Sequence, residues 1–444
     1  MPTTRTPRCE KARSAGIAAF VGTTIEWYDF FIFTTATGLI LGKLFFPEFS
    51  SSAGVLASFA TLWVGYVGRP LGGLLFGHIG DRIGRKRALV ATLLIMGTCT
   101  TAIGLLPTYT QIGVAAPLLL ALLRVLQGVA LGGEWGGAVL IASESAPKNR
   151  RVSFGNFAQQ GTPTGAMLST LVFIPVAALP DAAFATWGWR VPFLLSAVLV
   201  VIGLVVRLRV DDPPEFEEVR RKKQLAKVPI AEVFRVSPGI VFLGIGACAV
   251  GIGMSGMKNP FLLSWTTTEL GMERSTMLNV LLVTTIVQFI TQPIAAHLAR
   301  RFGALKIIVG SLIATLVVLV PTFMLVGSTI TVAVGVGMGL FIMTQSGYYA
   351  ILAGFMCGAF PVRVRYTGIS MAYQLAGTVF GTIPVVAQLV LTTSGTVWAS
   401  VGFYAGIVVL CLWCVLAVAR RHTDRDTPAH GRVHDTSAVH APAN

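Results

Sequence analysis

The segment RVPFLLSAVLVVIGLVVRLR, residues 190–209, decides the class of fold to which this chain belongs. It holds no charged residue between Arg190 and Arg207, and about 20 mostly apolar residues are enough for a helix to cross a bilayer. A transmembrane β-strand would instead alternate apolar and polar residues, which runs such as Leu118–Leu123 and Leu316–Val320 do not do. A helix also pairs its backbone polar groups within the lipid. The segment therefore predicts a transmembrane α-helix.

Eleven further stretches share this length and apolar composition. The twelve predicted cores are residues 16–41, 53–77, 87–106, 113–144, 152–178, 190–209, 238–265, 276–298, 305–326, 329–357, 366–393 and 396–420. The 444 residues are 54% hydrophobic and only 12% charged, with a mean hydropathy of +0.74, whereas soluble proteins carry roughly 25% charged residues. These values predict an all-α integral membrane protein with twelve transmembrane helices. They exclude a set of soluble domains, a disordered chain and a disulfide scaffold.

The basic residues are unevenly distributed between alternate loops. The chain has 34 Lys and Arg residues against 19 Asp and Glu residues. Twenty-eight of the basic residues lie in the N-terminal arm, the loops after even-numbered helices and the C-terminal tail, while Lys43, Arg190 and Arg274 are the three in the opposite loops. Because cytoplasmic loops are enriched in Lys and Arg, we expect a multi-pass protein of the cell membrane with both termini in the cytoplasm. This topology accounts for the positive charge without a nucleic-acid partner.

A long polar stretch divides the predicted helices into two sets of six. We expect a cytoplasmic arm at 1–15, a six-helix bundle at 16–209, a cytoplasmic linker at 210–236, a second six-helix bundle at 237–420 and a disordered tail at 421–444. The halves also repeat each other weakly, because Pro147, Arg151 and Gln160 recur 214 residues later as Pro361, Arg365 and Gln374. Transporters are often built from two such repeats with the substrate site between them near the bilayer midplane.

Several motifs occur in order along the predicted helices and loops. They are Glu26-Trp-Tyr-Asp-Phe30, Arg69-Pro-Leu-Gly-Gly73, Gly77-His-Ile-Gly-Asp-Arg-Ile-Gly-Arg-Lys86, Arg124-Val-Leu-Gln-Gly128, Gly132-Gly-Glu-Trp-Gly-Gly137, Glu144-Ser-Ala-Pro147 and Gly188-Trp-Arg-Val-Pro-Phe193. The third and fourth resemble the signature loop between helices 2 and 3 and the helix 4 motif of the major facilitator superfamily. The other five are similar to its metabolite:proton symporter family, and in particular to shikimate-type and related organic-acid permeases. The resemblance extends from about residue 16 to residue 420.

Charged residues inside predicted helices are the candidate functional residues, since each costs about 2.5–3.5 kcal/mol on insertion scales. Glu26 and Asp29 lie three residues apart on helix 1, and burial away from water favours the neutral form of a carboxyl group. We therefore expect them to couple transport to a proton, together with Arg124 and Glu134 on helix 4. The alternative is that these carboxyl groups are permanently paired and structural.

Two further intramembrane cations are candidates for binding an anionic substrate. Arg69 can grip a carboxylate with two parallel hydrogen bonds, and Lys258 precedes Pro260, which disrupts helical hydrogen bonding. For both residues the alternative is a side chain that reaches back to the membrane surface. The uncharged residues that we expect to line the same cavity are Tyr28, Gln160, Gln345 and Tyr348.

The predicted turn after helix 2 is expected to form a cytoplasmic gate. The superfamily resemblance implies that this gate pairs across helix ends, and its residues are Gly77, Asp81, Arg82, Gly84, Arg85 and Lys86. The corresponding loop of the second half departs from the pattern, because it has Arg300 where the first half has Asp81.

Taken with the resemblance, these residues predict a proton-coupled symporter for a small organic anion, such as a mono- or dicarboxylate or a shikimate-like acid, working by alternating access. The alternatives are a proton-coupled symporter for a betaine- or proline-type osmolyte and a non-catalytic membrane receptor. We expect no enzymatic activity, no metal site, no cofactor other than the coupling proton and no nucleic-acid partner. The expected partners are the organic acid and the lipid bilayer, and we expect a monomer.

Overall fold

The computed structural model describes residues 7–83, 85–144, 151–208, 235, 238–360 and 365–426. Almost all of these residues are helical. Most of the predicted linker, the C-terminal part of the predicted tail and the first six residues of the predicted arm lie outside these ranges. Gly84 of the predicted gate lies outside them as well.

Within the described residues, twelve long helices follow one another, and three of them, α1, α7 and α11, consist of more than one segment. They are α1 (Pro7–Ala36, continued by Thr37–Leu41 and Gly42–Phe45), α2 (Ser51–Ile83), α3 (Arg85–Leu105), α4 (Ala115–Glu144), α5 (Arg151–Ala177), α6 (Val191–Leu208), α7 (Pro238–Ala247, Ala249–Gly256, Met257–Leu262 and Trp265–Glu269), α8 (Arg274–Phe302), α9 (Ala304–Gly327), α10 (Thr331–Ala359), α11 (Arg365–Phe380 and Ile383–Ser394) and α12 (Val397–Asp426).

The length and composition of these helices suit a bilayer. Within the described residues, eleven of them are apolar and long enough to span a membrane, and α5 is the twelfth helix of the fold. Many large apolar side chains also remain exposed along them, for example Val317 and Trp413, as expected where lipid surrounds a protein. The prediction of an all-α fold with twelve transmembrane helices is confirmed.

Each six-helix half has its own packing partners. In the first half, made of α1 to α6, α2 packs on α4, α1 on α5 and α3 on α6. In the second half, made of α7 to α12, α10 packs on both α8 and α9, and α7 packs on α12. The halves meet where α5 packs on α8, α2 packs on α11 and α1 approaches α7.

The approach of α1 to α7 involves a local widening of both helices. Thr37–Leu41 and Met257–Leu262 each adopt π-helical geometry, and Pro260 lies within the second segment. The predicted disruption at Pro260 is therefore a widened turn that stays helical. A methyl group added at Gly38 would lie 3.2 Å from the Pro260 carbonyl oxygen, so the two backbones touch through a glycine.

These contacts lie toward one end of the molecule, which contains residues 46–50, 178–187 and 270–273 and is called the Phe46 end. There, Arg274 at the start of α8 forms an ion pair of 2.6 Å with Asp181 in the connection between α5 and α6. The Arg274 guanidinium also lies 4.5 Å from the ring centre of Phe184. Both contacts join the two halves, so the halves are held together at the Phe46 end.

Candidate functional site

The Asp29 carboxyl group is buried between helices of the first half. Its residue is only 1% exposed, and the Ser196 hydroxyl of α6 donates a hydrogen bond of 2.6 Å to it. Arg124 on α4 and Thr100 on α3 lie close enough to interact with the same carboxyl group. Three helices therefore position the partners of Asp29, and Asp29 itself lies on α1 as the sequence predicted.

Arg124 is held in place by a short chain of side-chain hydrogen bonds. Its Nη1 donates to Oε1 of Gln127 over 2.7 Å, and Nε2 of Gln127 donates to the Thr100 hydroxyl over 2.7 Å. The guanidinium carbon lies 3.9 Å from the ring centre of Phe33. The Nε of Arg124 is buried with no partner among the described residues, so this cation retains one unused donor.

Glu26, the second carboxyl group of α1, has a cationic neighbour that the sequence did not identify. Arg207 at the end of α6 is buried, donates to the Leu89 carbonyl oxygen and interacts with Glu26 through charge. It packs so closely on α1 that a methyl group at Gly22 would lie 2.7 Å from its Nη2. The count of loop charges had placed Arg207 beside the linker. In the structure Arg207 lies in the last turn of α6, as the predicted core 190–209 implied, but its guanidinium is buried rather than exposed as a loop charge.

Arg69 on α2 is buried against aromatic rings at the contact between the halves. Its guanidinium carbon lies 4.1 Å from the ring centre of Tyr66 and 5.5 Å from that of Phe30. It also acts on Glu26 through charge. Arg69 is 4% exposed, so the alternative of a side chain that reaches back to the membrane surface does not describe it.

Arg69 and Arg124 line one small cavity together with Phe30, Tyr66 and Gln127. Its volume of about 10 Å³ is about what one water molecule needs. On the other side, a methyl group added at Gly377 of α11 would lie 3.8 Å from Cδ of Arg69, so α11 covers this side of the cavity. The site is therefore closed around its cations in this conformation, and a substrate can enter only when the helices separate.

These five buried residues, called the first-half charge cluster, are Glu26, Asp29, Arg69, Arg124 and Arg207. Three of them are arginines and two are carboxylic acids. Even with both acids ionised, the described part of the cluster carries one surplus positive charge. Buried charges are costly unless they are paired, so the cluster is suited to receive an anion.

Among the described residues of the second half, Lys258 is the buried cation. It is 2% exposed, and its Nζ donates to the Thr285 hydroxyl over 3.2 Å and to Oε1 of Gln288 over 3.4 Å. The ammonium lies 5.7 Å from the ring centre of Phe31 on α1, so it faces the first half. Full burial excludes the alternative of a side chain that reaches the membrane surface in this conformation.

The remaining predicted substrate contacts are scattered. Tyr28 donates to the Pro192 carbonyl oxygen over 2.7 Å, and Tyr348 donates to the Ala247 carbonyl oxygen, so both hydroxyls serve packing within their own halves. Gln345 accepts a hydrogen bond of 3.0 Å from Tyr404. Gln160 is half-buried, and its Oε1 has no partner among the described residues. The structure does not bring these four residues together with Arg69.

Several predicted residues lie wholly or in part outside the described part of the structure. They are Glu134, Gly77, Asp81, Arg82, Gly84 and Arg85. Lys86, the remaining gate residue, donates to the Leu208 carbonyl oxygen over 2.7 Å. Within the described residues, no cluster of three His, Cys, Asp or Glu side chains could hold a metal ion.

Comparison with known families and proteins agrees with this architecture. The family model for sugar (and other) transporters matches residues 15–239, and that for MFS/sugar transport proteins matches residues 137–356.

Three curated relatives align over most of their lengths. The inner membrane metabolite transport protein YhjE of Escherichia coli (strain K12) is 37% identical over 89% of this chain and 92% of its own. The shikimate transporter of the same organism is 37% identical over 91% of this chain and 94% of its own. The glycine betaine/proline/ectoine/pipecolic acid transporter OusA of Dickeya dadantii (strain 3937) is 29% identical over 90% of this chain and 82% of its own.

Solved structures share the fold at low sequence identity. A D-xylose-proton symporter superposes with a TM-score of 0.70 at 19% identity, covering 92% of this chain and 96% of the other. The partially occluded inward open form of the xylose transporter XylE from E. coli gives a TM-score of 0.73 at 15% identity, covering 93% and 98%.

Proposed function

The chain belongs to the major facilitator superfamily, among its metabolite transporters, and from this premise we propose that it imports a small organic anion together with a proton. It is a membrane transporter and not an enzyme. The identity of the substrate class and the coupling to a proton are the parts that we propose.

The observation that carries the proposal is the surplus of buried positive charge. In the described residues, Arg69, Arg124, Arg207 and Lys258 are buried together with only two acids, Glu26 and Asp29. A carboxylate bound beside Arg69 would offset this surplus, and guanidinium groups bind carboxylates through two parallel, charge-assisted hydrogen bonds. A neutral sugar would leave the surplus uncompensated.

The mechanism that we propose assigns different tasks to Arg69 and Asp29. Arg69 binds the substrate carboxylate at the contact between the halves, and Arg124, which lines the same cavity, turns its unused donor toward the substrate. This movement weakens the hold of Arg124 on Asp29. Asp29, hydrogen-bonded by Ser196, then carries the coupling proton. Substrate and proton thereby occupy the protein together.

Alternating access requires each end of the bundle to open in turn. We propose that the Phe46 end faces outward, in keeping with the loop charges, and that it opens by separating Gly38 from Pro260. The predicted gate around Asp81 and Arg85 would then close the opposite end. The polar groups that join α2 and α4 to α11, such as the hydrogen bond of 3.2 Å from Gln374 to the Gly132 carbonyl oxygen, would be exchanged during the movement.

Proteoliposome uptake tests the proposal directly. Organic acids are first screened by their effect on the thermal stability of the purified protein, with shikimate and succinate included, and radiolabelled hits are then assayed for uptake. We expect an inward proton gradient to drive accumulation and a protonophore to abolish it. Asp29→Asn should lose accumulation but retain exchange of substrate across the membrane. Accumulation that the protonophore leaves unchanged would refute proton coupling. If none of the tested acids binds to the protein, the proposal of an anionic substrate is refuted.

A proton-coupled osmolyte symporter is the second candidate, because OusA is a betaine and proline transporter by name. Quaternary ammonium groups are commonly bound by clusters of aromatic faces. Here the rings of Phe30 and Tyr66 already face the Arg69 guanidinium, and Phe31 faces Lys258. Cations of the protein itself occupy these faces, which favours the anion. Strong competition by glycine betaine in the uptake assay would reverse this preference.

A further inference from the structure

Among the described residues, an unused hydrogen-bond donor lies next to the buried ammonium group of Lys258. Lysine can only donate, so the Gln288 atom that contacts Lys258 is the amide oxygen. Its amide nitrogen is buried and has no partner among the described residues. Buried polar atoms are nearly always paired, so we expect this donor to have an acceptor that is not among the described residues.

Gln292 adds a second unused donor on the same face of α8. It lies four residues after Gln288, a spacing that places two side chains next to each other on a helix. Gln292 is 2% exposed, and both its Nε2 and its Oε1 lack a partner among the described residues. A donor is therefore available whichever way its amide group is turned.

The charge of Lys258 also has no counter-charge among the described residues. Within the described residues, the structure contains no carboxylate within ion-pair distance of its Nζ, and the two groups that do accept from it, Thr285 and Gln288, are uncharged. An unpaired ammonium in a buried position is costly. The acceptor that would satisfy all three donors at once is an anion.

We propose that Lys258, Gln288 and Gln292 form a second anion-binding subsite, and that the transported substrate is consequently a dicarboxylate. One carboxylate lies at Arg69 and the other at Lys258. This inference rests on the proposed function, since it assumes that the first carboxylate binds at Arg69.

The aromatic residues of α1 lie between the two cations. Arg69 faces the ring of Phe30 and Lys258 faces the ring of Phe31, and these rings contact each other edge to face at 5.5 Å between their centres. The first half thus supplies one cation and the second half the other, across a shared apolar wall. A molecule with an apolar middle and a negative group at each end matches this arrangement and bridges the two halves.

A hydroxylated monocarboxylate is the competing substrate, because the unpaired Oε1 of Gln292 could accept from a hydroxyl group. It would satisfy the amide groups but leave the charge of Lys258 without a counter-charge. Charge-assisted hydrogen bonds are roughly twice as strong as neutral ones. The Lys258 ammonium should therefore bind a second carboxylate more strongly than a hydroxyl group.

Matched pairs of straight-chain acids test the subsite in the full-length protein purified in lipid nanodiscs. Malonate, succinate, glutarate and adipate are compared with propionate, butyrate, pentanoate and hexanoate, respectively, by isothermal titration calorimetry. We expect at least one dicarboxylate to bind about ten-fold more tightly than its partner of equal length. Lys258→Met should abolish this preference without weakening the monocarboxylate, whereas Lys258→Arg should largely retain it. Gln292→Leu should reduce it and serves as the variant if Lys258→Met does not fold.

The outcomes separate the two proposals. Monocarboxylates that bind through Arg69 with no dicarboxylate preference overturn the second subsite alone. Equal weakening of both series in Lys258→Met gives Lys258 a structural role and also overturns it. If shikimate binds more tightly than every dicarboxylate and its affinity is unchanged in Lys258→Met, the amide groups recognise hydroxyl groups instead. That result overturns the second anion subsite. If no acid of either series and no shikimate binds to the wild-type protein, the proposed function itself fails.

Discussion

The two halves of the bundle have the same number of helices, but their buried charged side chains have different surroundings. In the described residues, the first half buries five charged side chains that interact with one another, whereas the second half buries Lys258 among uncharged amide and hydroxyl groups. A cluster of opposed charges can exchange partners when a proton or an anion arrives, because each rearrangement replaces one ionic contact by another. A single cation among fixed hydrogen-bonding groups can only bind or release. We therefore propose that the first half exchanges charge and holds one substrate carboxylate through Arg69, whereas Lys258 of the second half only anchors the substrate.

Removing Arg69 should produce the largest effect, since it is the cation of the first-half cluster that faces the other half. Truncating one partner of a buried charge pair costs about 2–5 kcal/mol, which is at least about 30-fold in affinity. We expect Arg69→Gln to lower uptake of the best organic acid on this scale. Arg420→Gln removes the same charge at an exposed position of α12 and should leave uptake unchanged. Equal uptake by both variants would show that Arg69 does not bind the anion.

The second-largest effect should come from adding a side chain at Gly38, because this should prevent the two halves from closing on each other. The Pro260 carbonyl oxygen lies 3.2 Å from the position of the first added carbon, and because it is a backbone atom it cannot turn aside. We expect Gly38→Val to hold the Phe46 end open and to reduce uptake at least ten-fold, while substrate binding persists. The prediction is checked by uptake together with thiol labelling of a cysteine placed at Thr268, beside the same opening.

Gly402→Val is the matched control, because no atom lies within 4 Å of the carbon that it would add. This variant should keep both normal uptake and normal labelling. Labelling of the Thr268→Cys reporter that is identical in Gly38→Val and Gly402→Val would contradict closure through Gly38.

Removing Arg207 should affect stability more than uptake, because Arg207 interacts with Glu26 and does not face the second half. Breaking a buried ionic contact by removing one partner typically costs about 3–5 kcal/mol. We expect Arg207→Met to lower the thermal stability of the purified protein, and Glu26→Gln in the same chain to restore part of it. Uptake measured per folded molecule should fall less than in Arg69→Gln. A double variant that is no more stable than Arg207→Met would show that Glu26 and Arg207 do not depend on each other for stability.

The sequence predicted the architecture better than it predicted the site. Twelve apolar stretches appear directly in the residue pattern because each helix must cross the bilayer with its own composition, and the predicted helices agree with α1 to α12. Glu26, Asp29, Arg69, Arg124 and Lys258 were identified because charges are conspicuous in apolar helices, and all five are buried.

Partners were harder to predict than charges. Ser196, which donates to Asp29, lies in an apolar helix where one serine carries no signal. Arg207 was hidden because a basic residue at a helix end is usually a loop charge. Tyr28 and Tyr348 were expected to line the cavity, but the direction of a hydroxyl depends on the neighbouring helix. Sequence periodicity does not contain that information.

The smallest effect should come from the ion pair that joins the halves at the Phe46 end. Asp181 is 90% exposed at its side chain, and exposed ion pairs contribute about 0.2–1 kcal/mol. Asp181→Asn should therefore shift the balance between closed and open forms by no more than about five-fold, seen as slightly faster labelling of the Thr268→Cys reporter. The shift should disappear in high salt, which screens exposed charges. A loss of uptake as large as that of Gly38→Val would mean that the ion pair, and not the contact between α1 and α7, holds the halves together.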